Sequence, residues 1–136
     1  METFHINFVT DGDLLRVTVT GEFSLASSKL NFLETLHTLK QCRLPKVLFD
    51  GSHLTGEPTT MDRFHYGEFI AAEFNKFVIA EGFVPRFAYV LAHPVIDPQR
   101  FGENVAVNRG MNARIFDNFE DAYQWLEIPD TSQERK

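Results

Sequence analysis

Short apolar segments that alternate with longer helical patterns are the feature that most constrains this chain. From residue 24 onward, three apolar segments at 46–50, 86–91 and 113–116 are separated by stretches whose apolar residues recur at helical spacing. Successive strands that are joined by helices pair in parallel through right-handed crossovers. The alternation therefore predicts an α/β fold with a mostly parallel sheet.

The beginning of the chain predicts a β-hairpin. Apolar and polar residues alternate over 4–8 and again over 15–19, and Asp11 and Gly12 between them are typical of a turn. The hairpin adds one antiparallel pair, so we expect a mixed sheet of about five strands.

The first helix begins at Ser24 or Ser27 and continues to about Gln41. Its apolar residues lie at helical spacing, and polar residues that include Asn31 and Thr35 separate them. Pro45 follows and prevents the helix from continuing.

The second helix is the longest. Thr59 with Asp62 three residues later fits a capping box, in which each side chain accepts a hydrogen bond from the other residue's backbone N–H. The helix is expected to continue to Glu81, with Gly82 as its C-terminal cap and Pro85 just beyond it.

Two further helices complete the order ββαβαβαβα. Asp97 and Pro98 predict the start of the third, because Asp caps helices and Pro tolerates the first helical position. This helix is expected to end at Gly110. Asn118 caps the fourth helix, at 119–126.

The length of 136 residues fits one domain and is too short for two ordinary ones. We expect that domain to cover residues 1–128, followed by a flexible tail at 129–136. Cys42 is the only cysteine, which excludes an internal disulfide and a multi-cysteine metal site.

The charge and hydropathy of the chain argue against two kinds of partner. Thirteen Lys and Arg against nineteen Asp and Glu give a net charge of −6 without a segregated basic region, so we expect no nucleic-acid partner. No apolar stretch approaches the ~20 residues of a membrane span, and the first residues lack the pattern of a signal peptide. We therefore expect a cytoplasmic protein that does not insert into a membrane.

Three local patterns, spread over most of the chain, are similar to those of one family. The strand at 47–50 ends in Asp before a loop and a helix, and 86–90 is similar to that family's next strand. The segments 113–117 and 119–126 are similar to its closing "R-x-F, then E-x-A-x-x-W-L". Over roughly residues 4–127, the chain thus resembles the STAS and SpoIIAA-like domains, the family that includes anti-sigma-factor antagonists. The resemblance implies a SpoIIAA/STAS-like fold and a role in regulation.

For one branch of that family, the resemblance implies a phosphorylatable serine where the helix after the Asp-ending strand begins. That branch carries an Asp-Ser-Ser-Gly type of sequence there, whereas this chain has Glu57, Pro58, Thr59, Thr60 and Met61. Two threonines are the only hydroxyl residues close enough to accept the phosphate. The other interpretation is that both simply cap the helix.

Ligands of parallel sheets tend to bind beyond the carboxyl ends of the strands. Side chains from two loops, those of Asp50, Ser52, His53, Thr55, His93 and Asp97, are expected at that edge. The residues predicted to bind a partner or to regulate binding there are Asp50, Ser52, Thr55, Thr59 and Thr60.

The third helix carries an unusual polar group. Asn104 and Asn108 share one face, and Arg109 follows them. Asn is a mediocre helix former, so one interpretation is a polar contact patch for a partner or a small ligand. The other is that Asn108 bonds the end of the helix and Arg109 neutralises the carbonyl groups there.

The aromatic residues of the second helix cover more of its circumference than one sheet can bury. A helix on a sheet needs an apolar stripe only somewhat wider than ~100°. Neighbouring helices, a second subunit of a homodimer, or a small apolar ligand would each cover the excess. The residues predicted to make a dimer or ligand contact are Phe64, Tyr66, Phe69, Phe74 and Phe77.

No organised catalytic motif is present. The sequence lacks a Gly-x-Ser-x-Gly elbow, a Walker or Rossmann glycine pattern, and a His-x-x-x-His pair, so we expect no cofactor and no metal site. The function predicted is a non-enzymatic regulatory module that binds a protein partner, such as a kinase or another regulator. One alternative is a carrier or sensor of a small apolar, lipid-like ligand between the long helix and the sheet. Another is a hydrolase that uses His53 or His93 with Asp50.

Overall fold

The computed structural model of the chain describes residues 4–96 and 99–128. Within them the strands are β1 His5–Asp11, β2 Leu14–Glu22, β3 Lys46–Gly51, β4 Leu54–Thr55, β5 Arg86–Leu91 and β6 Ala113–Phe116. The helices are α1 Leu25–Cys42, α2 Thr60–Glu81, α3 Phe101–Asn108 and α4 Phe119–Leu126. Asp97, Pro98 and the predicted tail at 129–136 lie outside the described residues.

The sheet confirms the predicted mixed α/β class. Its strands follow the order β1-β2-β3-β5-β6, and β4 pairs with the end of β2. β1 is antiparallel to β2, and the remaining pairs are parallel. The described residues thus form six strands rather than about five. The additional strand has only two residues, too few for a sequence alternation to reveal it.

Helices cover both faces of the sheet. Val47 and Phe49 on β3 lie in one apolar cluster with α1, α2 and Ala106 of α3, whereas Leu48 between them lies in a second cluster with α4. This division follows from the strand geometry, in which successive side chains point to opposite faces. The result is a three-layered α/β structure.

Local capping explains where several helices begin. The Ser24 side chain caps α1 by accepting from the Ser27 N–H, which decides between the two predicted starts. The predicted capping box of Thr59 and Asp62 is confirmed at α2. Asn118 accepts a 2.8 Å hydrogen bond from the Asp121 N–H and caps α4, as predicted.

The predicted start of the third helix is wrong. The helix begins at Phe101 rather than at Asp97 or Pro98. Arg100 precedes it with a φ of 54°, in the left-handed region, which an α-helix cannot include. The Arg100 guanidinium donates instead to the carbonyl oxygen of Ile115 on β6. That long-range contact is not visible in the local sequence.

The described helices include none that is both long and apolar enough to cross a membrane.

Candidate functional site

The predicted regulatory segment, residues 50–60, connects the end of β3 to α2. Asp50 Oδ1 accepts hydrogen bonds from the backbone N–H of Ser52 at 3.2 Å and from its hydroxyl at 2.7 Å. The Thr55 hydroxyl donates to the carbonyl oxygen of Gly21 at 3.1 Å, beside the β2–β4 pairing. Three of the predicted residues therefore hold the conformation of the segment that carries them.

The two threonines at the start of α2 have different environments. The Thr59 hydroxyl accepts from the Asp62 N–H at 3.0 Å, and Asp62 Oδ2 accepts from the Thr59 N–H at 3.1 Å. Thr60 is the first residue of α2 and is exposed, and its neighbour Met61 is 58% exposed. The Thr59 hydroxyl is therefore used in capping, whereas the Thr60 side chain faces solvent.

The hydrolase hypothesis gains no support from hydrogen bonding. Among residues 4–96 and 99–128, Asp50 is hydrogen-bonded through its side chain to Ser52 and to neither His53 nor His93. Both histidines are exposed. The same ranges contain no group of three or more His, Cys, Asp or Glu residues that could hold a metal ion.

The polar group of α3 lies apart from residues 50–60. Arg109 is 3.8 Å from Glu68 of α2, and its guanidinium lies over the Phe64 ring, 5.6 Å from the ring centroid. Asn104 makes a long contact of 3.4 Å with the Gln99 carbonyl oxygen, and Asn108 is exposed. Arg109 thus connects α3 to α2. In the described part of the chain no hydrogen bond or ion pair joins this group to the 50–60 segment.

Neighbouring elements of the same chain cover the aromatic residues of α2. Phe74 and Phe77 are buried in the core, and their rings contact those of Phe87 and Phe83. Lys29 of α1 lies 5.3 Å from the centroid of the half-buried Phe69 ring. Phe64 stacks on Phe101 of α3. Burial within the chain therefore makes Phe74 and Phe77 core residues.

Of the five residues predicted to make a dimer or ligand contact, Tyr66 is the one that lines a cavity.

That cavity has a volume of about 120 Å³ and is bounded by α1, α2, α3 and the carboxyl-terminal half of the sheet. Most of its wall is apolar, with contributions from Val19, Phe49, Ile70 and Ala106. It lies between the long helix and the sheet, which is the place that the apolar-ligand alternative requires.

Two tyrosine hydroxyls meet in the wall of the cavity. Tyr66 of α2 and Tyr89 of β5 are hydrogen-bonded to each other with an oxygen–oxygen distance of 3.0 Å. Burial raises the pKa of Tyr66 to about 12, and the bond to Tyr89 partly offsets this. Burial, together with the neighbouring Tyr66, also holds the pKa of Tyr89 well above its usual value. Both hydroxyls therefore remain protonated at neutral pH.

Two further polar side chains in the wall have unmatched atoms. Asn31 of α1 is 3% exposed, and its Oδ1 has no hydrogen-bond partner among the described residues. Arg63 of α2 donates through Nη2 to the carbonyl oxygens of Pro94 and Val95 at 2.9 and 3.3 Å. Its buried Nε is likewise unmatched within the described part of the chain.

The sequence did not predict that two polar residues of α1 are buried. Asn31, which lines the cavity, and Thr35, which does not, lie between apolar residues of the helix and have exposures of 3% and 0%. Their spacing of four residues places them on one helix face, the same face as Phe32 and Leu36. A polar residue within an apolar stripe was the available signal.

No protein-family model matches the sequence, and no curated protein matches it either. Among solved structures, an anti-sigma factor antagonist from Mycobacterium paratuberculosis is similar over 92% of this chain and 95% of its own, with 14% identity and a TM-score of 0.59. An uncharacterized protein of the DUF3478 family from Shewanella loihica, described as having a SpoIIAA-like fold, matches over 93% of this chain and 95% of its own, with 16% identity and a TM-score of 0.47. The order of strands and helices, together with the first of these similarities, shows that the chain has the SpoIIAA/STAS-like fold.

Proposed function

We propose that this protein is a non-enzymatic regulatory module that binds a protein partner through residues 50–60 and the first turn of α2. The observation that carries the proposal is the fixed conformation of this segment, whose exposed residues are His53, Thr55, Glu57, Thr59 and Thr60. Ser52 is held by Asp50, Thr55 is held by the Gly21 carbonyl, and the helix start is held by the capping box of Thr59. A surface that is already ordered loses less conformational entropy when it binds.

The fold supports the proposal by analogy. The chain shares its fold with a protein described as an anti-sigma factor antagonist. By its name, that protein antagonises an anti-sigma factor. We extend to this chain the general role, which is regulation through contact with another protein.

We propose Thr60, rather than Thr59, as the phosphate acceptor if the segment is phosphorylated. A phosphate on Thr59 would disrupt the capping box, which uses that hydroxyl as an acceptor. Thr60 is exposed in the first turn, where the positive end of the helix dipole stabilises an anion. Glu57 and Asp62 nearby would reduce this stabilisation.

Site-specific photo-crosslinking tests the surface. A photoreactive residue at position 60 should capture one partner protein in cells, whereas the same residue at Ile79, which is 85% exposed near the other end of α2, should not. The captured protein should then bind the purified wild-type chain directly. Equal capture of the same partner at both positions would contradict the proposed surface.

A matched pair of variants tests whether the hydroxyl residues of the 50–60 segment bind the partner. Replacing the hydroxyl residues Ser52, Thr55, Thr59 and Thr60 with Ala should abolish binding of the captured partner. The control replaces the hydroxyl residues Thr10, Thr18, Thr20 and Thr38, none of which lies in the segment or in the first turn of α2. Circular dichroism would establish that both variants fold. Binding that survives the first set of replacements would refute the assignment of this surface.

We also propose that the protein is a homodimer. Because Phe74 and Phe77 are core residues, the interface must involve other positions. Gel filtration with light scattering would give twice the chain mass of 15.6 kDa for a dimer. A mass equal to that of one chain across the micromolar range would exclude a stable dimer.

A further inference from the structure

The two edges of the sheet differ in whether their outward backbone groups are already bonded. At the edge formed by β6, the Ile115 N–H donates to the Glu103 carboxylate at 2.5 Å, and the Ile115 carbonyl oxygen accepts from the Arg100 guanidinium. Two side chains at the start of α3 therefore occupy the groups that a further strand would use. β6 also has only four residues, and a short edge strand limits pairing with another chain.

The opposite edge, formed by β1, is open. Its seven residues pair one to one with β2, without a bulge, and they include no Lys and no Pro. Within residues 4–96 and 99–128, no side chain bonds the backbone groups that β1 directs away from β2. An edge of this length without a bulge, Lys, Pro or covering side chain is suited to pairing with another strand.

The turn between β1 and β2 decides which backbone groups face the open edge. A turn of two residues, with Gly12 at a φ of 61°, joins Asp11 to Leu14 and makes them a hydrogen-bonded pair. Because bonding alternates along an antiparallel pair, every second residue of β1 bonds β2, and the others direct their N–H and C=O groups to the open edge. The residues that face outward are Ile6, Phe8 and Thr10.

From these observations we infer that β1 is a dimer interface, at which two copies of the chain pair their β1 strands antiparallel about a twofold axis through Phe8. The inference rests on the homodimer proposed above and assigns its surface. Phe8 is the middle residue of β1, so this register pairs the whole strand. Ile6 then opposes Thr10 of the partner subunit, and the three outward pairs give about six backbone hydrogen bonds.

The polar side chains at the two ends of β1 favour this register. His5 comes opposite Asp11 of the partner subunit. An imidazole always carries at least one N–H to donate, whereas a carboxylate only accepts. An axis at Asn7 or at Val9 would pair only five of the seven residues of each strand and would separate His5 from Asp11. The register with the most backbone pairs is thus also the one with complementary ends.

The apolar side chains of β1 gain burial in the same register. Ile6 and Phe8 are half-buried and pack against the core from the open edge of the sheet. The two Phe8 rings become direct neighbours across the axis, and cross-strand aromatic pairs stabilise sheets. On the other face, Val9 is 48% exposed in the single chain and lies beside the partner's Asn7 in the dimer.

Disulfide trapping tests the register. Asn7 and Val9 of the partner subunit form an opposed pair without hydrogen bonds, in which Cα atoms lie about 4.5 Å apart, within the range for a disulfide. Asn7→Cys and Val9→Cys would be made as separate full-length variants, each with Cys42→Ser, and mixed under mild oxidation. The mixture should give about threefold or more covalent dimer than either variant alone.

The matched control is a mixture of Ile79→Cys and Val84→Cys in the same Cys42→Ser background. Both positions are exposed, at 85% and 55%, and neither lies on β1. This mixture should give no more covalent dimer than either control variant alone.

A charge on the edge strand tests the interface independently of cysteine chemistry. Val9→Lys places two ammonium groups near the twofold axis and adds the residue type that commonly protects edge strands. Because Val9 is 48% exposed, the chain should fold normally. The dissociation constant of the dimer, measured by analytical ultracentrifugation, should rise about tenfold or more. Ile79→Lys is the matched control and should leave it unchanged.

The outcomes separate this surface from the homodimer itself. More covalent dimer in the mixture, together with weaker dimerisation of Val9→Lys, would support β1 as the interface. A wild-type dimer that shows neither effect would overturn the assignment of β1 but leave the homodimer standing. A wild-type protein that stays monomeric would overturn both.

Discussion

The two halves of α2 rest on the same sheet but are packed in different ways. In the C-terminal half, Phe74 and Phe77 are buried against aromatic rings, with Phe74 only 5.9 Å from Phe87 between ring centroids. In the N-terminal half, Tyr66 and Ile70 line a cavity of about 120 Å³. Beneath the C-terminal half, aromatic rings fill the region between the helix and the sheet. Beneath the N-terminal half, a cavity remains whose wall contains hydrogen-bonding groups.

The difference has a physical cause in the residues that face inward. A methyl group on Gly67 would lie 2.7 Å from the Gly102 carbonyl oxygen, so the absence of a side chain lets α3 approach α2 closely. The Tyr66 and Tyr89 hydroxyls must remain paired, because leaving a buried hydroxyl without a partner is costly. The C-terminal half of α2 therefore contributes more packing to the core than the N-terminal half, beneath which a space remains.

The largest expected effect is the loss of a core ring from the C-terminal half. Phe74→Ala should lower the free energy of unfolding by about 3–5 kcal/mol, because it removes a fully buried side chain and leaves a cavity. Phe69→Ala on the same helix is the matched comparison, since Phe69 is only half-buried, and it should cost clearly less. Urea unfolding measures both. Equal losses would contradict the proposed division between the two halves.

The next effect concerns the close approach of α3. Gly67→Ala should destabilise the protein by about 1–3 kcal/mol through steric overlap, although Ala normally stabilises a helix relative to Gly. Gly102→Ala should cost less, because a methyl group there would lie 3.3 Å from the Arg63 carbonyl oxygen. Thermal unfolding of the two variants checks the order. Stabilisation by Gly67→Ala would show that the helices are not in tight contact.

The tyrosine pair predicts how stability depends on alkaline pH. The pKa of Tyr66 is about 12 in the folded protein and about 10 in an unfolded chain. Its protonated form thus contributes stability that is fully present below pH 10 and is lost as the pH rises from about 10 through 12. Over the one pH unit above 10, in which the tyrosine ionises mainly in the unfolded chain, we expect a loss on the order of 1 kcal/mol.

Urea unfolding between pH 9 and 11 would measure this loss. The control is Tyr66→Phe combined with Tyr89→Phe, which removes both titrating groups but keeps the other ionisable residues. The wild type should lose more stability over this range than the control does. Parallel losses in the two proteins would mean that the tyrosine pair does not titrate abnormally.

The smallest expected effect is at the start of α2. Thr59→Ala removes the capping hydroxyl and should cost about 0.5–1 kcal/mol. Thr60→Ala, an exposed neighbour without that role, should change stability by less than about 0.5 kcal/mol. Hydrogen exchange should accelerate near Tyr66 but not near Phe77, since the cap stabilises only the N-terminal half. Uniform acceleration along α2 would contradict this.

Features that depend on nearby residues could be predicted well. The pairing of Thr59 with Asp62 and the cap at Asn118 involve partners three residues away, and both occur as expected. The division of β3 between the two faces follows from alternation along a strand. The start of α3 could not be predicted, because nothing in the local sequence indicates that Arg100 adopts a φ of 54°.

The sequence predicted the cavity between α2 and the sheet only in outline. An excess of aromatic residues on α2 suggested that something other than the sheet covers the helix, and a cavity was one of three alternatives. The sequence did not identify Asn31, Arg63 or Tyr89 as its polar lining, because these residues come from α1, α2 and β5. Nothing in the spacing of residues on one element shows which side chains of another element they face.

The sequence by itself determined the α/β class, the mixed sheet and most helix ends, because periodicity, turns and caps act over a few residues. Only the tertiary structure decided that Phe74 and Phe77 close one half of the core while Tyr66, Tyr89 and Asn31 border a cavity in the other. The physical reason is that burial and hydrogen-bond partnership depend on contacts between elements far apart in the chain. The Tyr66–Tyr89 bond spans 23 positions, beyond the reach of any local pattern.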